Sequence, residues 1–244
     1  VVVRNNLFVN CASYGVQAGV RGGTFRVLNN VFVANRMVAV EAYGTCPAKG
    51  GPKAKTRCGE VEIAHNTILF SWSRLKDFQD MGYGVRVMTR AGYNIHHNLI
   101  GTSVLGGIDH SRFTPDAWIK VDNNAFFVNK LADLQYSPAS NTRLNLRAKQ
   151  FEDLELASVT GNTTRIPKDY PVDKAYLQGF LAARYSEKAD YKPDSPANQL
   201  RAALGLNKQG KLRSKASMYG NRYPWKKAAE LFGALAGAGA QTPR

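Results

Sequence analysis

Nowhere in the 244 residues do about 18 apolar positions run together, so no segment is long enough to cross a bilayer as a helix. Acidic side chains are few, 18 against 33 Lys and Arg, and the resulting formal charge of +15 favours a polyanionic partner. Nucleic acid, acidic polysaccharide and an anionic cell surface all qualify; a dispersed basic surface that only keeps the protein soluble is the plainer alternative. No nucleic-acid motif and no interleaved basic–aromatic platform is present, which sets nucleic acid aside as partner. Cysteine is scarce, three in all. Cys46 and Cys58 bracket a Gly/Pro/Lys loop that a disulfide between them would clamp, which points to an exported protein: secreted, periplasmic or at the cell surface. Two free thiols in a cytosolic loop are the other reading. Cys11 then has no partner in this chain and is either a buried small hydrophobe or the partner of an upstream residue. There is no initiator Met and no signal peptide, and Val1 is already in strand phase, so upstream circuits and domains of a longer chain are expected.

What is there is a repeat. A short phrase occurs five times: Asn5-Asn6-Leu7-Phe8, Asn29-Asn30-Val31-Phe32, His65-Asn66-Thr67-Ile68, His97-Asn98-Leu99-Ile100 and Asn123-Asn124-Ala125-Phe126. Each copy follows alternating apolar residues (Val1 and Val3, Phe25 and Val27, Val61 and Ile63, Tyr93 and Ile95, Ile119 and Val121), the period of a strand. The second asparagines, at 6, 30, 66, 98 and 124, fit a unit of about 24 residues with insertions in two copies. Ten positions further on stand Val16, Val40, Ile108 and Leu134, with Val85 in the third copy once its insertion is removed; Gly15, Ala39, Gly84 and Gly107 precede them and mark a sharp bend.

Strands this short, with no Asn-Gly hairpin turn between them, stack best on the equivalent strands of neighbouring copies about 4.8 Å away. The expected fold is therefore all-β, a parallel solenoid. Asn6, Asn30, Asn66, Asn98 and Asn124 form a column in which each amide donates to the next, and asparagine tolerates the left-handed conformation such turns require. Phe8, Phe32, Ile68, Ile100 and Phe126 stack inside as core.

Residues 1–137 carry the repeat, and residues 138–244 lose it. The second region reads as a C-terminal cap over the exposed end of the stack, with short helical patterns at 173–185, 195–205 and 225–235 and a Gly/Ala-rich tail, 233–244, that is expected to fray.

In these columns the chain resembles the right-handed parallel β-helix proteins of the pectate-lyase-like superfamily, which have asparagine ladders and aliphatic stacks of this kind. Tyr191-Lys192-Pro193-Asp194-Ser195-Pro196-Ala197 is similar to the closing segment many secreted members carry. The resemblance implies a right-handed β-helix. It also implies binding, and in many members cleavage, of an often acidic polysaccharide, with Ca2+ as a cofactor in some. Other members are non-catalytic structural or adhesive proteins, and fold membership does not decide between the two.

If Val16, Val40, Val85, Ile108 and Leu134 point inward, the next residue points out, giving a column of Gln17, Glu41, Arg86, Asp109 and Gln135. The insertions at 45–59 and 71–83 flank this face and would wall a groove. Glu41 and Asp109 stand two strands apart, about 9–10 Å at their backbones. Side chains can bring them into the range of an inverting glycoside hydrolase pair, about 6.5–9.5 Å. Elimination from a uronate would instead need a base, a cation and a proton donor, and Arg86, Arg90, His110 and Lys76 are the available types. Gln17, Lys76, Tyr83 and Gln135 are the expected substrate contacts. An ion-pair ladder, Glu41–Arg86–Asp109, is the structural alternative.

The motifs that mark polygalacturonases, mannuronan epimerases and pectate lyases are absent. The segment Gly84–Gly92 is similar to the arginine-bearing strand of alginate and chondroitin lyases, which would make Arg90 the catalytic arginine, but their lysine has no counterpart near 60–65. His65 and His97 occupy equivalent positions with His96 beside them, and either hold a metal, act as acid and base, or continue the turn column in place of Asn; no metal ligands are assigned from sequence.

Overall fold

The computed structural model describes residues 1–9, 11, 13–33, 35, 37–44, 57–71, 81–110, 114–137, 142–164 and 239. Lys76, Cys46, the three helical patterns and the closing segment at 191–197 lie outside the described residues.

Among the described residues, sixteen strands, numbered in chain order, form three sheets in which every third strand is a neighbour. The first sheet stacks β1 (Val2–Arg4), β4 (Thr24–Leu28), β7 (Glu60–Ala64), β10 (Gly92–His96) and β13 (Ile119–Asp122). The second stacks β2 (Leu7–Val9), β5 (Val31–Val33), β8 (Thr67–Leu69), β11 (Leu99–Gly101) and β14 (Ala125–Phe127). The third stacks β3 (Tyr14–Gly19), β6 (Val38–Tyr43), β9 (Tyr83–Met88), β12 (Gly106–His110) and β15 (Ala132–Tyr136), and is closed by β16 (Leu144–Leu146). All pairs are parallel except β15 with β16. The chain thus visits the sheets in turn five times, as a β-helix does.

Register follows the apolar pattern. Phe8, Phe32, Ile68, Ile100 and Phe126 are paired strand to strand, as are Val16, Val40, Val85, Ile108 and Leu134. Phe8 stacks flat on Phe32 with ring centres 4.7 Å apart. Full burial of a side chain of this size stabilises by about 1.5–3 kcal/mol. The bend before the third-sheet residues also has a physical cause. A Cβ on Gly84 would lie 2.7 Å from the Gly107 carbonyl oxygen and 2.7 Å from Ile100, and one on Gly15 would lie 2.6 Å from the Ala39 carbonyl oxygen. Glycine lets successive circuits close up there.

The second-asparagine column is continuous, and it is buried from Asn30 to Asn124. Asn98 accepts from the backbone N–H (2.9 Å) and side-chain amide (3.0 Å) of Asn66. Its own amide donates to Asn124 Oδ1 (3.0 Å) and to the carbonyls of Ile63 (2.7 Å) and His96 (3.0 Å). The left-handed conformation, however, belongs to the residue before it. Asn5, Asn29, His65, His97 and Asn123 have φ of 53–57°. The phrase therefore divides its duties, the first residue making the turn and the second satisfying its buried backbone.

The column also runs past residue 137. Asn124 donates to Asn162 Oδ1 (3.2 Å), Gly161 takes the left-handed conformation (φ 68°), and Thr163 bridges to Ala125. Gly161-Asn162-Thr163 is thus a sixth copy of the turn inside the region read as cap. Capping is done by the segment between. β16 reverses onto β15, and the 3₁₀ segment Ala148–Asp153 brings Phe151 edge-on against Phe126 at 5.5 Å.

The second sheet is buried on both faces: Val31, Val33, Thr67, Leu69 and Leu99 turn away from Phe32, Ile68 and Ile100 and are buried too. In the tail expected to fray, Gly239 is buried and donates to the His97 carbonyl at 2.7 Å.

Asn98→Ala leaves the Ile63 and His96 carbonyls and the Asn66 amide without their partner, and should destabilise by about 3 kcal/mol at 1–3 kcal/mol per orphaned group. Asn6→Ala, at the exposed end of the column, should cost under about 1 kcal/mol. Denaturant unfolding of the two variants checks the order.

Candidate functional site

The expected outward column exists in register: Gln17, Glu41, Arg86, Asp109 and Gln135 lie side by side across the third sheet. Its chemistry differs from an open groove. Glu41 and Asp109 are only 3% and 2% exposed, and Gln135 and Tyr83 are buried as well. Gln17 donates to Glu41 Oε1 (2.7 Å), Arg86 Nη1 stands 3.7 Å from Glu41 Oε2, and Arg86 Nε donates to Asp109 Oδ2 (2.8 Å). Arg143, from the segment leading into β16, reaches to 3.8 Å of Asp109 Oδ1. Glu41 Oε2 is buried without a hydrogen bond and is held by the guanidinium charge alone. Burial and the Glu41 carboxylate push the Tyr14 phenol above its ordinary pKa, Arg86 partly offsetting them. Tyr83 lies over Gly106 and donates to Gln135, which in turn donates to Asn145 Oδ1 (2.8 Å). Every substrate contact expected here, except Lys76 outside the described residues, is thus occupied by a neighbour or buried.

Arg86 fills the gap between the two carboxylates, where an attacking water would stand in an inverting mechanism. Of the elimination set, Lys76 lies outside the described residues. Arg90 lies in the turn between β9 and β10, its carbonyl accepting from Cys58 N–H (2.8 Å), and His110 faces the other way from Asp109. Ca2+ binding would call for six to eight oxygen ligands, and two carboxylates already neutralised by Arg86 do not fit it.

His110 has its own setting. Its ring packs against Tyr136 at 5.0 Å, and its Nε2 is 3.4 Å from Asp116 Oδ1, while Tyr136 donates to Asp116 Oδ2 (2.5 Å). Burial lowers its pKa, with the Asp116 charge opposing. Neither ring nitrogen makes a hydrogen bond of good geometry.

Two features were missed in sequence. Asp133 stands on β15 where the other circuits carry Gly or Ala and is buried, which raises its carboxyl pKa; it accepts from Asn129 (3.0 Å) and the Ala148 N–H (3.1 Å), with Arg147 at 3.6 Å. It lines a cavity of about 260 Å³ with Phe126, Arg147 and Lys149. An acidic residue at a bend position was the available signal. A second turn column, in which Cys11 N–H donates to Asn35 Oδ1 (3.3 Å) and Ser103 N–H to Asn129 Oδ1 (3.0 Å), had no repeated phrase to announce it. Cys11 is a free thiol whose pKa burial raises; Cys58 is buried, and its expected partner Cys46 lies outside the described residues.

Arg86→Met removes the cation between two buried carboxylates and should cost about 3–5 kcal/mol, whereas Glu41→Gln/Arg86→Met/Asp109→Asn should recover most of the loss; chemical denaturation of both checks this. For His110 the folded state stays neutral below the unfolded pKa of about 6.5, so it binds fewer protons than the unfolded chain, and stability present above that pH is lost as pH falls, by at most about 1.4 kcal/mol per unit. His110→Phe should therefore raise Tm relative to the parent more at pH 5.5 than at pH 8.

No family, curated protein or solved structure matches the chain.

Proposed function

We propose that the chain is part of an exported right-handed parallel β-helix that binds an acidic, uronate-containing polysaccharide by charge. The three parallel sheets support the fold, and the near-universal right-handed crossover between parallel strands supplies the hand. The observation that carries the binding reading is the surplus of 33 Lys and Arg over 18 Asp and Glu. Arg4, Arg21, Lys120, Lys130 and Lys149 are exposed, but most of the surplus belongs to residues outside the described ones. Uronate carboxylates repeat along a chain, so many weak contacts with a basic protein add by multivalency.

The second reading is a non-catalytic structural or adhesive segment of a larger cell-surface protein. It is favoured by the buried, internally paired ladder, which serves the scaffold without a substrate. Cleavage by a lyase or hydrolase at Glu41, Arg86 and Asp109 would require the ladder to open.

Titration with polygalacturonate and alginate should give binding that weakens on the order of tenfold or more as salt rises from about 0.05 M to 0.5 M, where screening shortens from over 10 Å to a few Å. Neutral dextran should not bind. Failure to bind either polyanion at low salt would overturn the polysaccharide reading and leave the structural one. Unsaturated product or new reducing ends, lost in Glu41→Gln, would show that the ladder cleaves.

A further inference from the structure

We propose that His65, His96 and His97 form a binding site for a divalent transition-metal ion of the zinc class, clamping two successive circuits at the corner between the first and second sheets. Among the described residues this is the grouping of His, Cys, Asp and Glu side chains with ligand spacing, one nitrogen of each ring lying within 4.8 Å of the others. His96 Nδ1 and His97 Nδ1 are 2.9 Å apart, the His65 and His97 rings stack at 5.0 Å, and His96 stands edge-on to both. Ligand nitrogens at about 2.0–2.1 Å around a tetrahedral ion are about 3.3 Å from one another. His96 and His97 open by a few tenths of an ångström, and His65 closes by about 1.5 Å, within the broad range of a histidine χ2.

A stacked turn column accounts for only part of this. His65 and His97 replace the Asn of the other circuits at left-handed positions, and histidine is tolerated there. His96 is different, since its register partners are Ala64 and Asp122 and nothing in the turn calls for an imidazole. It also has its own orienting carboxylate: His96 Nε2 is 3.5 Å from Glu62 Oε1, and Glu62 Oε2 is 3.0 Å from Arg26 Nε. A carboxylate at Nε2 fixes the proton on that nitrogen and turns the Nδ1 lone pair toward His97, the outer-shell arrangement of a ligating histidine. Two bare lone pairs 2.9 Å apart repel, so one Nδ1 carries a proton that moves to the other nitrogen of the same ring when a metal arrives.

The backbone is held on each side. His65 N–H donates to the His96 carbonyl (3.3 Å), His97 N–H to the Asp122 carbonyl (3.2 Å), and Gly239 N–H to the His97 carbonyl (2.7 Å). Asn66 and Asn98 lie fully buried next in sequence. Three imidazoles and no oxygen donor select Zn2+, Co2+, Ni2+ or Cu2+ over Ca2+ and Mg2+, and leave a fourth position for water or a ligand.

The test uses the untagged full chain, treated with chelator and titrated with Zn2+ by calorimetry and with Co2+ by visible absorption. One equivalent of Zn2+ should bind and raise Tm, Co2+ should give the intense visible bands of tetrahedral coordination, and excess Ca2+ should not compete. His65→Asn/His97→Asn installs the residue the other circuits use at these turns, so it should keep the fold by circular dichroism and lose binding. Glu62→Gln should bind about 10- to 100-fold more weakly. Absence of stoichiometric Zn2+ binding by the parent, or unchanged affinity in the folded double Asn variant, would overturn the proposal.

Discussion

The buried asparagine column is the constraint on which the stack depends. A chain that turns sharply between two short strands leaves peptide groups facing the core, and an unpaired buried peptide group costs about 1–3 kcal/mol. Asn98 meets three such demands at once, from the Asn66 N–H and the Ile63 and His96 carbonyls, and also bonds the Asn66 and Asn124 side chains. Since each residue in the column serves the circuits on either side, the register of one circuit fixes the next. Apolar columns, third-sheet polar residues and histidine corner all inherit their alignment from it.

That dependence explains what could be read from sequence. A residue whose role repeats at every circuit leaves a periodic trace, so the inward residues of all three sheets and the Gln17–Gln135 column were legible, as was the stacking of His65 on His97. The sixth turn was not. Ala157 and Val159 precede Asn162 as an apolar pair, but the phrase there reads Gly161-Asn162-Thr163, without the usual Asn or His first, and 38 residues separate it from Asn124. Nor did the spacing tell which residue of the phrase takes the left-handed conformation, because Asn suits both roles. Burial of the ladder depends on packing from distant segments, Arg143 among them, and no local pattern encodes it. The helical patterns after residue 165 lie outside the described residues and add nothing to this comparison.

The ladder and the histidine corner illustrate two ways of placing charge on such a scaffold. On the third sheet, opposite charges occupy successive strands about 4.8 Å apart, so each meets its partner without leaving the register. The cost is desolvation, which their mutual attraction and hydrogen bonds offset only while the set is complete. At the corner, like groups are stacked instead. Burial together with the neighbouring His97 and His96 rings lowers the pKa of His65.

The reversal of β16 bears on self-association. A parallel sheet ends in an edge of evenly spaced donors and acceptors that a further parallel strand, from the same or another chain, can extend. β16 runs against β15, so a strand in the sense of the stack that added beyond it would pair with it antiparallel. Among the described strands of the third sheet, the parallel register that the repeat propagates thus ends at three residues, Leu144–Leu146.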